Sequence, residues 1–392
     1  MADVFEFNEA RQDKIEEKKS RIKIWLLVGC IVVLGIVGLG IFSYYYNNRC
    51  FDDYAVQSKV PRNDTNNIEY RYYNKNLLKY SRSGISALDN KGNTLWNGGF
   101  EMKQPQVDVD GNYVVAADVG GKDFYVYSGQ DEGTNIQTTL PIVRAKVAAN
   151  GVAAVLTEDT DSNVLGIYNP YKTTDKLAVE IPTNIADEGY PLDFDISADG
   201  NSLVTAHLIV KGNEVENSVS FYNFTEVGQD QNTLVGGVNY GKDTISAIEF
   251  LGQDTVAVFR ESGFTIFENM KKPAEVAKVS FPDDIKSLSY TDQYIAVVTV
   301  SGNDKQTLHI LNMKGKEVRS RAISFAYSKM KLYEDQIIFS SGRDCHIVRM
   351  NGKEKFSYEF DSAIDAILPT EQSSTYTLID MENINIITLK KK

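Results

Sequence analysis

The sequence has few of the residues on which many functional sites depend. Its 392 residues include only three cysteines, three histidines and two tryptophans. Three cysteines are too few for a disulfide scaffold, and a bridge between Cys50 and Cys345 is not expected. Nine prolines and no low-complexity tract argue against a long disordered region. Because 42% of the residues are hydrophobic, we expect a folded chain with a sizeable core.

The sequence also lacks an excess of positive charge. It contains 41 Lys and Arg against 53 Asp and Glu, which gives a net charge of −12. Residues 1–46 carry six charges of each sign, so the whole negative excess belongs to the rest of the chain. Since binding to phosphate backbones requires a dense cationic surface, nucleic acid is not expected as a partner.

One long hydrophobic run is present near the N-terminus. Residues 24–46, IWLLVGCIVVLGIVGLGIFSYYY, form 23 positions without a charged side chain. A helix of this length reaches across a hydrocarbon core of about 30 Å. Lys and Arg cluster before the run, and Trp25 and Tyr44 stand near its ends as interfacial aromatics do. The positive-inside rule therefore predicts a cytoplasmic tail at 1–23, a single transmembrane helix at 24–46 and a large extracytoplasmic domain at the cell membrane.

Two other interpretations of this run have less support. A cleaved signal peptide has a shorter apolar core and a small-residue cleavage site, which SYYYNNRC (43–50) does not provide. The stretch LVGC (27–30) resembles a lipoprotein processing site, but the apolar run continues for 16 residues beyond its cysteine. The sequence therefore favours an uncleaved signal anchor.

A short strand, a polar turn and a second short strand recur beyond residue 60. The first copy is GISALDNKGNTLW (84–96), and later ones include LHILNMKGKEV (308–318) and CHIVRMNGKEKFSY (345–358). Short runs of this kind, bounded by turn residues, are typical of strands in all-β proteins. One aligned apolar position is found at Leu88, Tyr127, Tyr168, Tyr222, Phe267, Leu311, Val348 and Ile387.

The spacing of the copies indicates the architecture. Each copy is preceded by another apolar strand, and several by a further strand and turn. Four strands in about 40 residues is the period of a β-propeller blade. Eight copies predict an all-β fold, an eight-bladed propeller over residues 62–392, with seven blades as the alternative because the first copy is short.

The last copy ends before its outer strand. The stretch DYAVQSKV (53–60), just before the first blade, has strand-like alternation. A strand from the N-terminal side that completes the last blade would protect both exposed edges. We therefore expect residues 47–61 to form a linker and a closing strand.

The unit ISALDNKGNTLW (85–96) resembles the repeat of quinoprotein-like propellers, whose blades carry an Ala-Leu-Asp…Gly…Trp run. The whole arrangement is similar to a family of uncharacterised single-pass membrane proteins of Gram-positive bacteria with an extracellular propeller of the PQQ-like or WD-repeat-like type. The resemblance implies the fold and the topology, and no established chemistry. Later copies lose the tryptophan, because Trp25 and Trp96 are the only two in the chain.

The resemblance raises the question of a quinone-dependent dehydrogenase. Such enzymes stack their cofactor between a tryptophan and a disulfide of adjacent cysteines, and they bind Ca²⁺ beside a catalytic Asp. This chain has no adjacent cysteines, and Trp96 falls in a hairpin that is expected to be peripheral. We therefore expect no enzyme, no catalytic residues and no cofactor.

Metal sites are weakly indicated. DVDGN (108–112) and DISADGN (195–201) look like calcium loops, but neither has the spacing or the glutamate of an EF-hand. Asp-Gly also suits tight turns, which we expect here. Cys345 and His346 are adjacent in a strand, so their side chains point to opposite faces and cannot share a metal. The other two histidines are isolated, and no metal site is predicted.

The remaining candidate site is formed by the loops of one face of the ring. The turns between the second and third strands of all blades lie on the same face as the connections between blades. Here they carry many charges of both signs, and arginine is favoured in protein interfaces and in carboxylate recognition. The alternative is that these loops only face water. The candidate binding residues are Arg82, Asp118, Asp159, Arg260, Asp304 and Arg343.

These features favour a membrane-anchored scaffold that binds envelope or membrane proteins. A receptor for a small ligand or wall glycan is the alternative, and a degenerate quinoprotein-type enzyme is a second one. A glycan receptor usually exposes several aromatic side chains, which the turns in question lack. A signalling receptor needs cytoplasmic machinery, for which a tail of residues 1–23 is short.

Overall fold

The computed structural model of the chain divides into two units, Met1–Cys50 and Phe51–Lys392. It describes residues 25, 29, 32–42, 44–45, 48–62, 68–89, 91–130, 132–229 and 232–391.

In the first unit, residues 32–42 are helical. Among the helical residues that the structure describes, none belongs to a helix with the length and apolar character that a membrane crossing requires. The predicted tail at 1–23, and several residues of the predicted span at 24–46, lie outside the described residues. The membrane span therefore stays a prediction from the sequence.

In the second unit, the described residues form eight four-stranded antiparallel sheets, which are the blades of a β-propeller. Within each blade we call the strands A to D from the central axis outward. Blade 1 contains β2 (Glu69–Tyr73), β3 (Asn76–Ser81), β4 (Gly84–Leu88) and β5 (Thr94–Gly99). Blade 2 contains β6 (Pro105–Asp110), β7 (Tyr113–Asp118), β8 (Asp123–Tyr127) and β9 (Thr134–Gln137). Blade 3 contains β10 (Ile142–Val147), β11 (Ala153–Glu158), β12 (Ser162–Tyr168) and β13 (Leu177–Asn184).

The remaining blades follow the same order. Blade 4 contains β14 (Tyr190–Ile196), β15 (Ser202–Lys211), β16 (Glu214–Asn223) and β17 (Leu234–Gly241). Blade 5 contains β18 (Ile245–Phe250), β19 (Thr255–Arg260), β20 (Gly263–Glu268) and β21 (Ala274–Ser280). Blade 6 contains β22 (Asp284–Tyr290), β23 (Tyr294–Val300), β24 (Gln306–Asn312) and β25 (Glu317–Ile323). Blade 7 contains β26 (Lys329–Tyr333), β27 (Gln336–Ser341), β28 (Asp344–Arg349) and β29 (Glu354–Glu359).

Blade 8 joins the two ends of the propeller. Its strands are β30 (Ile364–Pro369), β31 (Thr375–Asp380), β32 (Asn383–Lys390) and, as strand D, β1 (Asp53–Pro61). β1 pairs antiparallel with β32, from Asp53 opposite Lys390 to Pro61 opposite Asn383. The predictions of eight blades and of a closing strand from the N-terminal side are confirmed.

The hydrophobic core is divided among the contacts between blades. Within the part of the chain that the structure describes, eight clusters of buried apolar side chains occur, and each joins two neighbouring sheets. One of them packs Leu77 and Leu88 of blade 1 against Leu368, Ile379 and Ile384 of blade 8. A hairpin that cannot bury its apolar face alone is thus stabilised by the blades on both sides.

The Asp-Gly sequences form turns between strands A and B, as predicted. Gly111 and Gly200 both have positive φ, +57° and +70°. The Asp199 carboxylate accepts hydrogen bonds from the Ser197 hydroxyl (2.6 Å) and from the Asn201 backbone N–H (3.0 Å). Burial opposes ionisation of Asp199, but these hydrogen bonds prevail and lower its pKa. The Asp199 carboxylate oxygens therefore stabilise the turn.

Two single-turn helices, Ile185–Glu188 and Glu226–Gln229, interrupt the β structure of the described residues. The Asn184 side chain accepts a hydrogen bond from the Ala186 N–H and so caps the first of them.

Candidate functional site: loop face and central channel

The B–C turns of the blades lie beside the connections from one blade to the next. The Met102 N–H donates to the Arg82 carbonyl, and the Phe360 N–H donates to the Arg343 carbonyl, both at 2.9 Å. Equivalent bonds join further turns and connections around the ring. We call this side of the propeller the loop face.

Four of the six predicted binding residues are exposed on the loop face: Arg82, Asp159, Asp304 and Arg343. They belong to blades 1, 3, 6 and 7, so they are spread around the ring and do not form one cluster. Arg343 pairs with Glu359 of the same blade, and both side chains remain more than half exposed. The four residues are accessible to a partner that covers the face.

Arg260 differs from the expectation, because its side chain is only 3% exposed. Its guanidinium pairs with the Asp243 carboxylate and donates to the Ser262 hydroxyl at 2.7 Å and to the Val279 carbonyl at 3.1 Å. The side chain turns into blade 5, and its partner Asp243 lies in the connection from blade 4. Arg260 therefore stabilises this blade and is not available to a partner.

Asp118 also has a structural position. Its carboxylate accepts the backbone N–H groups of Lys103 and Gln104, each at 2.9 Å. These bonds hold the connection between blades 1 and 2 against the B–C turn of blade 2. The sequence correctly predicts that Asp118 lies at the B–C turn of blade 2. It does not show that the hydrogen-bond donors to the Asp118 carboxylate belong to the connection before that blade.

The longest hairpin of the propeller rises from the loop face of blade 4. β15 and β16 have ten residues each, and Val210 pairs with Val215 near their tip. These two side chains are 61% and 43% exposed. Sequence reasoning missed this feature, although the largely apolar stretch before the Gly212 turn, LVTAHLIV (203–210), is a signal of a long strand.

The central channel is lined by the A strands, and it contains a network of buried charges. Lys146 Nζ of blade 3 lies 3.7 Å from Asp195 Oδ1 of blade 4 and 3.4 Å from Glu249 Oε2 of blade 5. Burial alone would lower the pKa of Lys146, but the carboxylates of Asp195, Asp108 and Glu249 raise it. The ammonium therefore stays charged and neutralises part of the acidic wall. A cavity of about 360 Å³ borders this network.

Carboxylates in the channel also tie neighbouring blades together. Asp108 of blade 2 accepts the Val147 N–H of blade 3 at 3.0 Å. Asp195 of blade 4 accepts the Phe250 N–H of blade 5 at 2.7 Å. Among the residues that the structure describes, no three His, Cys, Asp or Glu side chains are arranged to hold a metal ion.

The cysteine and histidine positions agree with the expected strand structure. Cys345 is a free thiol packed between blades 7 and 8, where burial raises its pKa to about 12. The neighbouring His346 faces the other way and stacks on Phe325, with ring centroids 3.7 Å apart. The two side chains therefore point to opposite faces, as predicted.

Trp96 lies on the outer strand of blade 1 and is buried in the core. Its ring stacks on Tyr127 of blade 2, with centroids 5.5 Å apart, and meets Tyr73 edge to face. The tryptophan that carries the resemblance to quinoprotein repeats thus serves the contact between two blades.

The chain belongs to a family of unknown function, DUF5711, whose model matches residues 47–389. No curated protein matches the sequence. The fold is similar to that of BamB from Moraxella catarrhalis, with a TM-score of 0.53 and 9% identity over 86% of this chain and 100% of that one. It is also similar to Saccharomyces cerevisiae Sqt1, with a TM-score of 0.52 and 14% identity over 88% and 100% of the two chains. A eukaryotic initiation factor gives a TM-score of 0.56 and 10% identity over 88% and 89%. At these identities the similarity concerns the fold alone.

Proposed function

We propose that this DUF5711 protein is a non-catalytic scaffold of the cell envelope that binds other proteins through the loop face of its propeller. The observation that carries the proposal is the combination, on one face, of a projecting apolar hairpin tip and exposed charged side chains. In this proposal residues 24–46 anchor the chain in the membrane, and the propeller lies outside the cell.

The composition of the loop face supports protein binding. Val210 and Val215 stand at the tip of the longest hairpin, and Met381, on the B–C turn of blade 8, is 70% exposed. Exposed charged residues lie on the turns between these blades. Protein interfaces typically combine a small apolar centre with a polar rim, and arginine is enriched in them.

The membrane part of the proposal is supported by the uncharged run of 23 residues and by the basic residues that precede it. Protease added to intact cells should remove the propeller and leave a small membrane-embedded fragment. A propeller that is protected in intact cells and digested only after lysis would contradict the proposed orientation.

The proposed interface is tested by crosslinking the full-length protein in cells, followed by mild detergent extraction and mass spectrometry. We expect reproducible crosslinks from envelope proteins to the B–C turns. The double variant Val210→Asp/Val215→Asp should lose them, because it places two charges in the apolar centre of the interface. Reversing the charge of Arg82 and Arg343, with both valines kept, should weaken the crosslinks.

Val318→Asp is the matched control. Val318 is 44% exposed on the outer strand of blade 6, away from the loop face, so this variant should keep the crosslinks. Crosslinks that are lost equally in the control, or that never involve the loop face, would contradict the proposal.

A further inference from the structure

The A–B and C–D turns of the blades lie on the side of the propeller opposite the loop face, because successive strands of each sheet run antiparallel. In blade 5 the Asn269 N–H of the C–D turn donates to the Asp254 carbonyl of the A–B turn at 3.2 Å. In blade 7 the Met350 N–H donates to the Asp335 carbonyl in the same way, at 3.3 Å. We call this side of the propeller the turn face.

The C–D turns of three neighbouring blades carry lysines and no acidic residue, although the protein as a whole has a net charge of −12. They are residues 269–273 of blade 5, 313–316 of blade 6 and 350–353 of blade 7. By contrast, the charged residues in the C–D turns of blades 2 and 4 are all acidic. The exposed lysines of the three turns are Lys271, Lys272, Lys314, Lys316 and Lys353. We call these three turns the basic sector of the turn face.

The three turns follow one another along the rim of the ring, because each of the later two packs on the outer strand of the blade before it. A Cβ at Gly315 in the blade 6 turn would lie 3.0 Å from the Ala277 Cβ of β21. The Arg321 guanidinium of β25 donates to the Gly352 carbonyl in the blade 7 turn at 3.0 Å. The positive charges therefore lie on one connected stretch of the surface.

The four lysines of blades 5 and 6 form no ion pair with any other residue that the structure describes. Two acidic neighbours have partners of their own, because Glu317 pairs with His309 at 2.6 Å and Glu354 pairs with Arg321 at 3.4 Å. Glu268 and Glu275 lie at the ends of the strands that flank the blade 5 turn, so the positive excess is greatest in blades 6 and 7. The acidic residues of the A–B turns lie closer to the axis, since strand A is innermost: Asp254, Asp292, Glu334 and Asp335.

The chain enters the propeller beside the basic sector. β1 begins at the turn face, where Asp53 lies opposite Lys390 at the end of β32. Just before β1, the Phe51 N–H donates to the Lys355 carbonyl of blade 7 at 2.8 Å. The entry point of the chain therefore lies on the turn face, next to blade 7.

We infer that the basic sector binds the anionic headgroups of the membrane in which residues 24–46 are proposed to be anchored. Only residues 47–52 separate that run from β1, and six extended residues reach at most about 20 Å. Each lysine that comes within a Debye length of an anionic lipid surface contributes about 1 kcal/mol of attraction. The protein as a whole is acidic and is repelled by such a surface, so the basic sector determines which side approaches it.

This inference rests on the proposed membrane anchor and extends it. With the turn face toward the lipid, the loop face points away from the membrane, where envelope proteins can reach it. The headgroup chemistry that fits is an anionic phosphodiester, as in phosphatidylglycerol, because lysine ammonium groups bind phosphate oxygens.

The test uses the full-length protein in nanodiscs of phosphatidylcholine, with and without phosphatidylglycerol. Hydrogen–deuterium exchange followed by mass spectrometry reports on the protection of each turn. We expect the amides of residues 313–316 and 350–353 to exchange at least about twofold more slowly when phosphatidylglycerol is present. High salt should remove this difference, because it screens the attraction between lysines and headgroups.

Lys314→Glu/Lys316→Glu should lose the protection by phosphatidylglycerol. The matched control is Lys122→Glu/Lys305→Glu, which makes the same change of charge at two exposed lysines of the loop face and should keep the protection. Both variants replace exposed side chains, so both should fold.

Three results would overturn the inference and leave the membrane anchor standing: equal exchange of the C–D turns in both kinds of nanodisc, protection that persists in Lys314→Glu/Lys316→Glu, or protection of the B–C turns in their place. Polyphosphate that protects the turns in neutral nanodiscs as well as phosphatidylglycerol does would assign the basic sector to a soluble polyanion and would also overturn it. A chain that enters neither kind of nanodisc would contradict the proposed anchor, and with it this inference.

Discussion

Arg260 and Gly263 of blade 5 are both positioned by the Val279 carbonyl. The Arg260 guanidinium donates to this oxygen at 3.1 Å. Gly263 has a φ of +154°, and a Cβ at this position would collide with the same oxygen. In the sequence, the stretch RESG (260–263) is typical of an exposed turn. In the structure, close packing inside the blade requires the arginine and the glycine at these two positions.

We therefore expect Gly263→Ala to destabilise the protein by about 2 kcal/mol, since it combines backbone strain with a collision against backbone atoms. The measurement is thermal or denaturant unfolding of the full chain. Gly302→Ala is the control, because a Cβ at Gly302 meets no atom within 4 Å. Equal stability of the two variants would show that the backbone of blade 5 relaxes around the added methyl group.

At the scale of the strand, β1 determines how the ring closes. It supplies the outer strand of the last blade and covers the edge of β32, on which Ile384, Ile387 and Leu389 are buried. Phe51, just before β1, donates its backbone N–H to the Lys355 carbonyl at 2.8 Å and packs between blades 7 and 8. The same short segment thus connects the last two blades.

A chain that starts at residue 62 should melt about 5–10 °C below one that starts at residue 50, because it leaves the outer edge of β32 unpaired and exposes apolar surface. Differential scanning calorimetry of both chains measures the difference. Identical melting temperatures would mean that β1 adds no stability to blade 8. The longer chain serves as the reference in this comparison.

At the scale of the whole molecule, the channel network links blades that are far apart in the sequence. Asp108, Lys146, Asp195 and Glu249 come from the A strands of four consecutive blades. Their hydrogen bonds and ion pairs run around the axis and not along any one sheet. Removing one partner of a buried ion pair leaves the other charge uncompensated and destabilises the folded state. Among the four residues, removal of the Lys146 side chain should therefore lower the stability most.

Lys146→Met should destabilise the propeller by about 3–5 kcal/mol at pH 8, since it leaves buried carboxylates without their counter-charge. Burial raises the pKa of Asp195 and the Lys146 ammonium opposes this shift, so loss of the ammonium raises the pKa of Asp195 further and the folded variant binds more protons than the unfolded one. Stability of the variant should then fall as the pH rises from about 4 to 8, and its deficit against the wild type should be smaller at pH 5.

Unfolding curves of the wild type, Lys146→Met and Lys314→Met at pH 5 and pH 8 test this expectation. Lys314 is exposed on the turn between strands C and D of blade 6, so its variant should follow the wild type at both pH values. A deficit of Lys146→Met that is the same at both pH values would contradict the role of Lys146 as a counter-charge.

Local patterns in the sequence determined the strands, the number of blades and the closing strand. Alternation of apolar and polar residues acts over neighbouring positions, and Asp-Gly sequences define turns through the conformational freedom of glycine. The expected turns, the outward position of Arg82 and the opposed faces of Cys345 and His346 follow from such short-range rules.

Only the tertiary structure decided which polar residues are available and which are used internally. Arg260 and Arg82 occupy similar places in the repeat, yet one is buried by Asp243 and Val279 while the other faces solvent. Lys146 and Lys331 both lie on A strands, yet one is surrounded by carboxylates and the other has no ionic partner among the described residues. Arg260 is buried by packing within its own blade. The surroundings of Lys146 arise from contacts between blades, and the partners in the channel network are 39 to 103 positions apart in the sequence. A repeat pattern predicts where each strand lies, but the side chains that meet across neighbouring blades depend on how the whole ring packs.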